Sequence, residues 1–302
     1  MEIYSDLVEN KRTIESSIKK YGYSPEHNYY HFTYQEDEKN KCVYFDFGKN
    51  RGVLARLELD TNIWTMLSEV LAPEKERINI FKGFLDYVFN IKAAKKVIVE
   101  VGTEFRNHII KNIGGSKYKV CRTNYCLYWP VYDVKTLNPK LPGKKWKKIR
   151  NIKNRFNKNF KISLRNAKKT KNNLLTNVLN SWIKKRPHDD EVDISYYKKA
   201  IENHFQGFDV AKSIFINGEP CSISGGWTIP NSEDIYYGIG IQNYKYHNIN
   251  ELANLQDLMT AKKNGYKNVD LGGSDKTLLY SKKKLKPKKI YKSHVFSILK
   301  RN

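Results

Sequence analysis

The chain has 302 residues, a net charge of +24, and 40% hydrophobic and 13% aromatic residues. That is apolar material for one large domain or two ordinary ones, and it excludes a disordered chain. No apolar run reaches the ~18 residues of a membrane span, and MEIYSDLVENK lacks a signal-peptide core, so a soluble cytoplasmic protein is expected.

Residues 3–20 place Ile3, Leu7, Ile14 and Ile18 at helical intervals. Strand-like runs follow at 28–34, 42–48 and 52–60, the last two joined by the turn sequence GKNRG. A stripe through Ile78, Phe81, Phe84, Leu85 and Val88 predicts a helix over 77–92, and KVIVEVG (96–102) reads as a buried strand. Thr103 is placed to cap a short helix ended by Gly114 and Gly115. CRTNYCLYWPVYD closes this half as one or two strands.

A second half begins near Val134, in a linker punctuated by Pro139, Pro142 and Gly143. Its pattern predicts helix 143–157, strand 160–165, helices 173–185 and 194–206, and strands 213–217, 220–229 and 234–242. Helix 249–264, strand 268–273, helix 276–284 and strand 293–299 complete it. The order of elements repeats although no sequence repeat is visible. That predicts two similar α/β domains in tandem, over 1–133 and 134–302.

The positive charge is unevenly spread. Residues 140–171 hold fourteen Lys and Arg and no acid, residues 276–302 hold ten and no acid, and the remainder of the chain is balanced. Clustered charge of this kind suits an anionic partner such as RNA, a phosphorylated cofactor or an anionic lipid surface; solvated basic faces are the plainer alternative. Cys42, Cys121, Cys126 and Cys221 show no paired metal spacing, and the seven histidines form no ligand motif. Reduced, buried thiols and no metal site are expected.

The second-half order resembles that of a GNAT-type acyltransferase. CLYWPVYDVKTLNPKLPGKKWKKIRNIKNRF resembles the start of the phosphatidylglycerol lysyltransferase C-terminal-domain family, with Tyr132, Asp133, Leu141, Gly143, Lys144, Lys145, Arg150, Asn151, Asn154 and Phe156 at the matching places. GYKNVDLGGSDKTLLYSKKKLKP resembles the closing motif of that family and of the related Fem-type aminoacyltransferases, through Asp270, Gly272, Gly273, Leu279, Lys283 and Pro287. The resemblance covers most of 125–300, and the first half only by element order. It implies an α/β (α+β) fold of tandem GNAT-like domains, each a mixed, mostly antiparallel sheet flanked by helices. The first domain would be degenerate, on the acceptor side or structural, and the second catalytic. It also implies an acyl or aminoacyl transferase with no tightly bound cofactor. Members of known chemistry use aminoacyl-tRNA as donor, and the acceptor is an amine or hydroxyl of a small molecule, peptide or lipid headgroup. The membrane-spanning half of the lipid-modifying lysyltransferases is absent from this sequence, which counts against a lipid acceptor.

Acyl-CoA enzymes of the GNAT fold hold pyrophosphate on a glycine-rich loop at a helix N-terminus. Here GIGIQNYKYHNINELANL has no glycine between Gly240 and the helix, which argues against an ordinary CoA site, although Lys245 and His247 could meet a phosphate. Trp146, Ile149, Ile152 and Phe156 form one apolar stripe on the opening helix, so it docks by one face and presents Lys144, Lys145, Lys148, Lys153, Arg150 and Arg155 on the others. By the resemblance, Lys145, Arg150 and Asn151 lie at or around the donor. A local cap or interdomain bond is the equal alternative for Arg150 and Asn151.

In DLGGSD, Gly272 and Gly273 permit close approach or positive φ, Ser274 could cap the next helix, and Asp270 or Asp275 could hold the attacking amine or accept its proton. Lys283 could neutralise carbonyl charge or bind 3′-end phosphates. Gly238 and Gly240 open one face of DIYYGIGIQ, where the donor carbonyl is expected; Asn243 follows, and Tyr236 or Tyr237 could donate a proton, with core packing the plainer alternative. HDDEVD (188–193) reads as a solvated cap. No Ser-His-Asp, Cys-His or metal constellation is evident, which suits a transferase whose substrates arrive activated. The catalytic candidates are therefore Asp270, Asp275 and Tyr237. The donor candidates are Lys145, Arg150, Asn151, Gly238, Gly240, Asn243, Gly272, Gly273, Ser274 and Lys283. Aminoacyl-tRNA is the leading donor, acyl-CoA the alternative, and a non-catalytic protein binding RNA or an anionic surface the third reading.

Overall fold

A computed structural model describes residues 1–115, 117–186 and 192–301. The chain forms two compact units: 1–128 with 229–232 and 291–302, and 129–228 with 233–290. HDDEVD falls mostly outside the described residues. Its last member, Asp193, caps a helix by accepting from the Tyr196 N–H at 3.0 Å.

In chain order the first unit has β1 (Glu2–Tyr4), α1 (Lys11–Tyr21), α2 (Tyr29–Thr33), β2 (Asn40–Asp46), β3 (Gly52–Glu58), β4 (Ile63–Met66), α3 (Glu74–Asn90), β5 (Lys96–Gly102), α4 (Thr103–Ile113) and the larger part of β6 (Tyr118–Asp133). The second has the end of β6, α5 (Lys147–Asn159), β7 (Ile162–Asn166), α6 (Asn172–Ile183), α7 (Ile194–Glu202), β8 (Val210–Ile216), β9 (Glu219–Pro220), β10 (Ser222–Thr228), β11 (Ile235–Gln242), α8 (Ile249–Lys263), β12 (Asn268–Asp270) and α9 (Lys276–Lys283). The final strand, β13 (Lys289–Lys300), belongs from Tyr291 onward to the first unit.

Several segments differ from the sequence pattern, three of them in the first unit's opening and at α4. Residues 28–34 form the short helix α2 rather than a strand, because Asn28 accepts from the His31 N–H at 2.9 Å and starts a helical turn. The first apolar run divides into β1 and α1. Thr103 is the first residue of α4, not its cap; Gly102 holds that position.

Each sheet uses the same scheme. In the first unit the strands run β1-β2-β3-β4-β5-β13, antiparallel throughout save β4 with β5. In the second they run β7-β8-β10-β11-β12-β6, antiparallel save β11 with β12. Each unit therefore completes its strand set with a segment that lies elsewhere in the sequence order: the first with β13, the second with the end of β6.

Packing follows from this scheme. In the first unit α3 lays Phe81, Phe84, Leu85 and Val88 on one sheet face with Val97, Val99 and Phe296, while α1 and α2 cover Tyr44 and Leu54 with Ile14, Ile18 and Phe32. In the second unit α5 buries Ile149, Ile152 and Phe156 against the core that holds Leu252, Leu255 and Leu258 of α8. The most basic stretch of the chain is thus anchored by its apolar stripe. No helix among the described residues is long and apolar enough to cross a membrane.

Candidate active site

The second sheet has a gap built by strand length. β12 is short and pairs with β11 only at Ile235↔Val269 and Tyr236↔Asp270. β11 continues to Gln242, still paired with β10 on its other side. From Tyr237 to Gln242 no strand among the described residues pairs with the second edge of β11. Its backbone N–H and C=O groups there have the disposition that pairs with an extended ligand.

What ends β12 is the DLGG turn. Gly272 sits at φ +82, where a side chain is strained, and its N–H donates to the Asp270 carboxylate at 2.8 Å. Ser274 is buried and donates to the Gly272 carbonyl at 3.3 Å. It does not cap α9; Asp275 does, accepting from the Leu278 N–H at 2.7 Å. Asp270 is itself only 2% exposed, so it holds the turn from within, while Asp275 is exposed.

The cation that reaches this turn is Lys282. Its ammonium donates to the carbonyls of Leu271 (2.5 Å) and Gly272 (3.1 Å), and its own carbonyl accepts from the Tyr132 hydroxyl at 2.9 Å. Burial pushes the Lys282 ammonium down to about 8, against the pull of the nearby Asp270 and Asp275 charges. Lys283, the residue picked from the motif, is exposed instead. One residue of helical register, 100° of rotation, separates the two. Leu279 lies three before Lys282 and four before Lys283 and cannot tell them apart. Leu285, buried three residues after Lys282, could have.

The other candidates divide. Gly240 is exposed, and an added Cβ would meet nothing nearer than 3.6 Å, so the edge is open there. Gly238 is not open: a Cβ would lie 2.5 Å from the Trp227 ring, which fills that space as part of an aromatic floor with Tyr236, Trp129 and Phe208. Tyr237 is a core residue. Its ring packs among Ile235, Leu255 and Leu258, burial raises its phenol, and its hydroxyl donates to the Asp257 carbonyl at 3.3 Å. Its side chain is turned into the core rather than to solvent.

Arg150 clamps the linker, donating to the carbonyls of Leu141 and Gly143, the latter at 2.7 Å. Asn151 is exposed on α5, and Gly273 is half-buried in the turn. Lys145 lines a cavity of about 370 Å³ together with Tyr132, Asp133, Trp146, Lys286 and Lys288. The structure thus brings Asp270, Gly272, Gly273 and Ser274 into one turn and leaves Arg150 and Tyr237 as structural residues.

The loop from β11 to α8 was expected to decide the donor. Asn243 accepts from the Lys245 N–H at 3.1 Å, and Arg155 of α5 donates to the His247 carbonyl and the Asn248 side chain, both at 2.9 Å. In the first turn of α8, Glu251 is buried and accepts from Lys284 at 2.5 Å, Asn248 at 3.3 Å and Ser281 at 3.4 Å. Burial raises its carboxyl, but the Lys284 hydrogen bond, its own backbone N–H and the Lys284 charge together hold it below the usual range. A carboxylate therefore already occupies the positive end of this helix. Asp257, further along α8, is fully enclosed; burial raises its carboxyl to about 8, with the Ser224 hydrogen bond opposing. Among the described residues no group of three His, Cys, Asp or Glu side chains is placed to hold a metal.

The chain superposes on solved structures along nearly its full length. L-PGS from Bacillus licheniformis matches with a TM-score of 0.67 at 15% identity, covering 96% of this chain and 92% of that one. A tandem GNAT protein from the clavulanic acid biosynthesis pathway matches at 0.61 and 10% identity, over 99% and 98%. The chain has a tandem GNAT-like fold. FemX shares it with a TM-score of 0.56 at 11% identity, over 98% of this chain and 97% of its own. No protein-family model matches the sequence, and no curated protein matches it. At such identities the likeness is one of fold, so the GNAT-like resemblance of the motifs rests on shared architecture rather than on sequence similarity across the whole chain.

Proposed function

We propose that this chain is an acyltransferase that moves an aminoacyl group from aminoacyl-tRNA onto an amine or hydroxyl of a small-molecule, peptide or lipid-headgroup acceptor. The second unit carries the reaction. The observation that supports this reading is the free edge of β11 from Tyr237 to Gln242, bordered by the turn that Asp270 and Lys282 hold closed. An ester laid along that edge pairs with backbone groups fixed before it arrives. The acceptor nitrogen or oxygen bonds to the ester carbonyl carbon, the bond to the ribose oxygen breaks, and the acceptor's proton passes to that oxygen. The donor is already activated, so orientation supplies most of the rate and no side-chain nucleophile is needed.

The choice of tRNA over CoA is supported by Glu251. A CoA pyrophosphate at the N-terminus of α8 would meet a buried, ionised carboxylate and a loop without the glycines that let backbone approach phosphate. The exposed lysines of α5 offer phosphate contacts instead.

Gly240→Val tests the edge directly. An added Cβ there meets nothing nearer than 3.6 Å, so the fold is expected to survive while transfer from a pool of charged tRNA falls at least about tenfold by steric exclusion of the donor. Unchanged transfer by the folded variant would move the donor elsewhere.

A further inference from the structure

The first unit holds a cysteine–histidine pair that the transfer chemistry does not use. His294 on β13 directs Nε2 at the Thr103 hydroxyl (3.0 Å), at the start of α4. Its Nδ1 lies 3.5 Å from the Cys126 sulfur and 3.5 Å from the Thr123 hydroxyl, both on β6. With Thr103 accepting from Nε2–H, Nδ1 carries the lone pair and faces the thiol. Cys126 and His294 are both half-buried, so solvent-borne reagents reach them.

The charges around the pair have one sign. Burial lowers the His294 imidazole, and the Arg106 guanidinium of α4 and Lys292 of β13 lower it further. Arg106 lies over the Phe296 ring at 5.4 Å, and its Nε is buried without a hydrogen-bond partner among the described residues. Lys292 lies over the Tyr128 ring at 5.3 Å. The half-buried Glu100 accepts from Ser293, which points to the opposite face of β13 from His294. The unprotonated imidazole nitrogen is placed to take the thiol proton as the sulfur attacks, and the two cations attract an anionic reagent.

We propose that Cys126 is a reactive thiol that exchanges with anionic low-molecular-weight disulfides, with His294 as its base. The thiol proton moves to His294 Nδ1, and the thiolate attacks one sulfur of the disulfide. A bond forms between Cys126 and that sulfur while the original S–S bond breaks. The electron pair leaves on the second sulfur, which takes the proton back from the imidazolium. Cys126 ends as a mixed disulfide and the other half of the reagent as a thiol; no further oxidant is required. The remaining cysteines lack this setting. Cys42 and Cys221 are buried with their sulfurs on the Phe32 and Glu219 carbonyls, and Cys121 is half-buried with no histidine at its sulfur.

The test is site-resolved labelling by peptide mass spectrometry, using dithiobis(nitrobenzoate), which is doubly anionic, and neutral dithiodipyridine. Cys126 is expected to react about tenfold or more faster than Cys121 with the anionic reagent. His294→Gln should remove about that factor at Cys126 and leave Cys121 unchanged, and Arg106→Gln with Lys292→Gln should narrow the preference for the anionic reagent. Equal rates at Cys126 and Cys121, or a folded His294→Gln protein with undiminished Cys126 labelling, would overturn the proposal. Should the variants fail to fold, the wild-type protein decides it: the lead of Cys126 over Cys121 with the anionic reagent shrinks as salt screens Arg106 and Lys292, and a ratio indifferent to salt contradicts the assignment.

Discussion

Lys282 spends a buried charge on two carbonyls of the DLGG turn, and the consequence is measurable. Lys282→Met leaves both acceptors without that donor, so a loss of about 1–3 kcal/mol in stability is expected, together with reduced transfer. Chemical denaturation and the charged-tRNA assay read the two effects. Asp257 makes a pH prediction. Its folded value, about 8, lies above its ordinary 3.8, so its contribution to stability is complete below 3.8 and is lost as pH rises through 8. Asp257→Asn keeps the neutral shape and should flatten the decline of wild-type stability between those limits. A decline of equal size in the variant would place its origin elsewhere. At this scale the sequence was only partly readable. That Asp270, Gly272, Gly273 and Ser274 share one turn is legible because a strand-end Gly-Gly turn has a local signature. Lys282 and Glu251 were missed because their roles depend on which neighbour each meets across a helix interface. The sequence left Tyr237 open between proton donor and core packing because a tyrosine on a strand looks alike whether it faces a core or a cleft; the structure buries it in the core.

Elements were more legible, since period and punctuation are local properties. The stripe Trp146, Ile149, Ile152 and Phe156 predicted a docked α5, and those residues are buried in the second core. Ile149→Ala should therefore cost about 2–5 kcal/mol by denaturation, as in any tightly packed core, whereas Lys148→Ala on the exposed side should change stability little. The strand β4 escaped notice because four residues are too few to show alternation. The length of β12 was overestimated for a related reason: LGG reads as extended, but its positive-φ glycine ends the pairing at Asp270. That early ending is what frees the edge of β11.

For the whole molecule, element order carried more information than any motif. The repeated order of helices and strands implied tandem GNAT-like units, and the structure has that fold. Sequence order could not show that the first sheet is completed by β13, since strand exchange leaves no mark on periodicity. Deleting 289–302 removes Phe296 and Ile298 from the first core and exposes the edge of β5. Hydrogen exchange should then rise across β5 and α3 in the first unit, against little change in α8. The charge of the basic segments bears on RNA binding, which should weaken steeply with salt if those lysines meet phosphates. The most direct test of the account is transfer from a mixed pool of charged tRNAs to candidate amine and hydroxyl acceptors, run with and without ribonuclease pretreatment of the donor and with CoA esters in its place. The account predicts transfer that ribonuclease abolishes and CoA esters do not restore; transfer from a CoA ester that is indifferent to ribonuclease would contradict it.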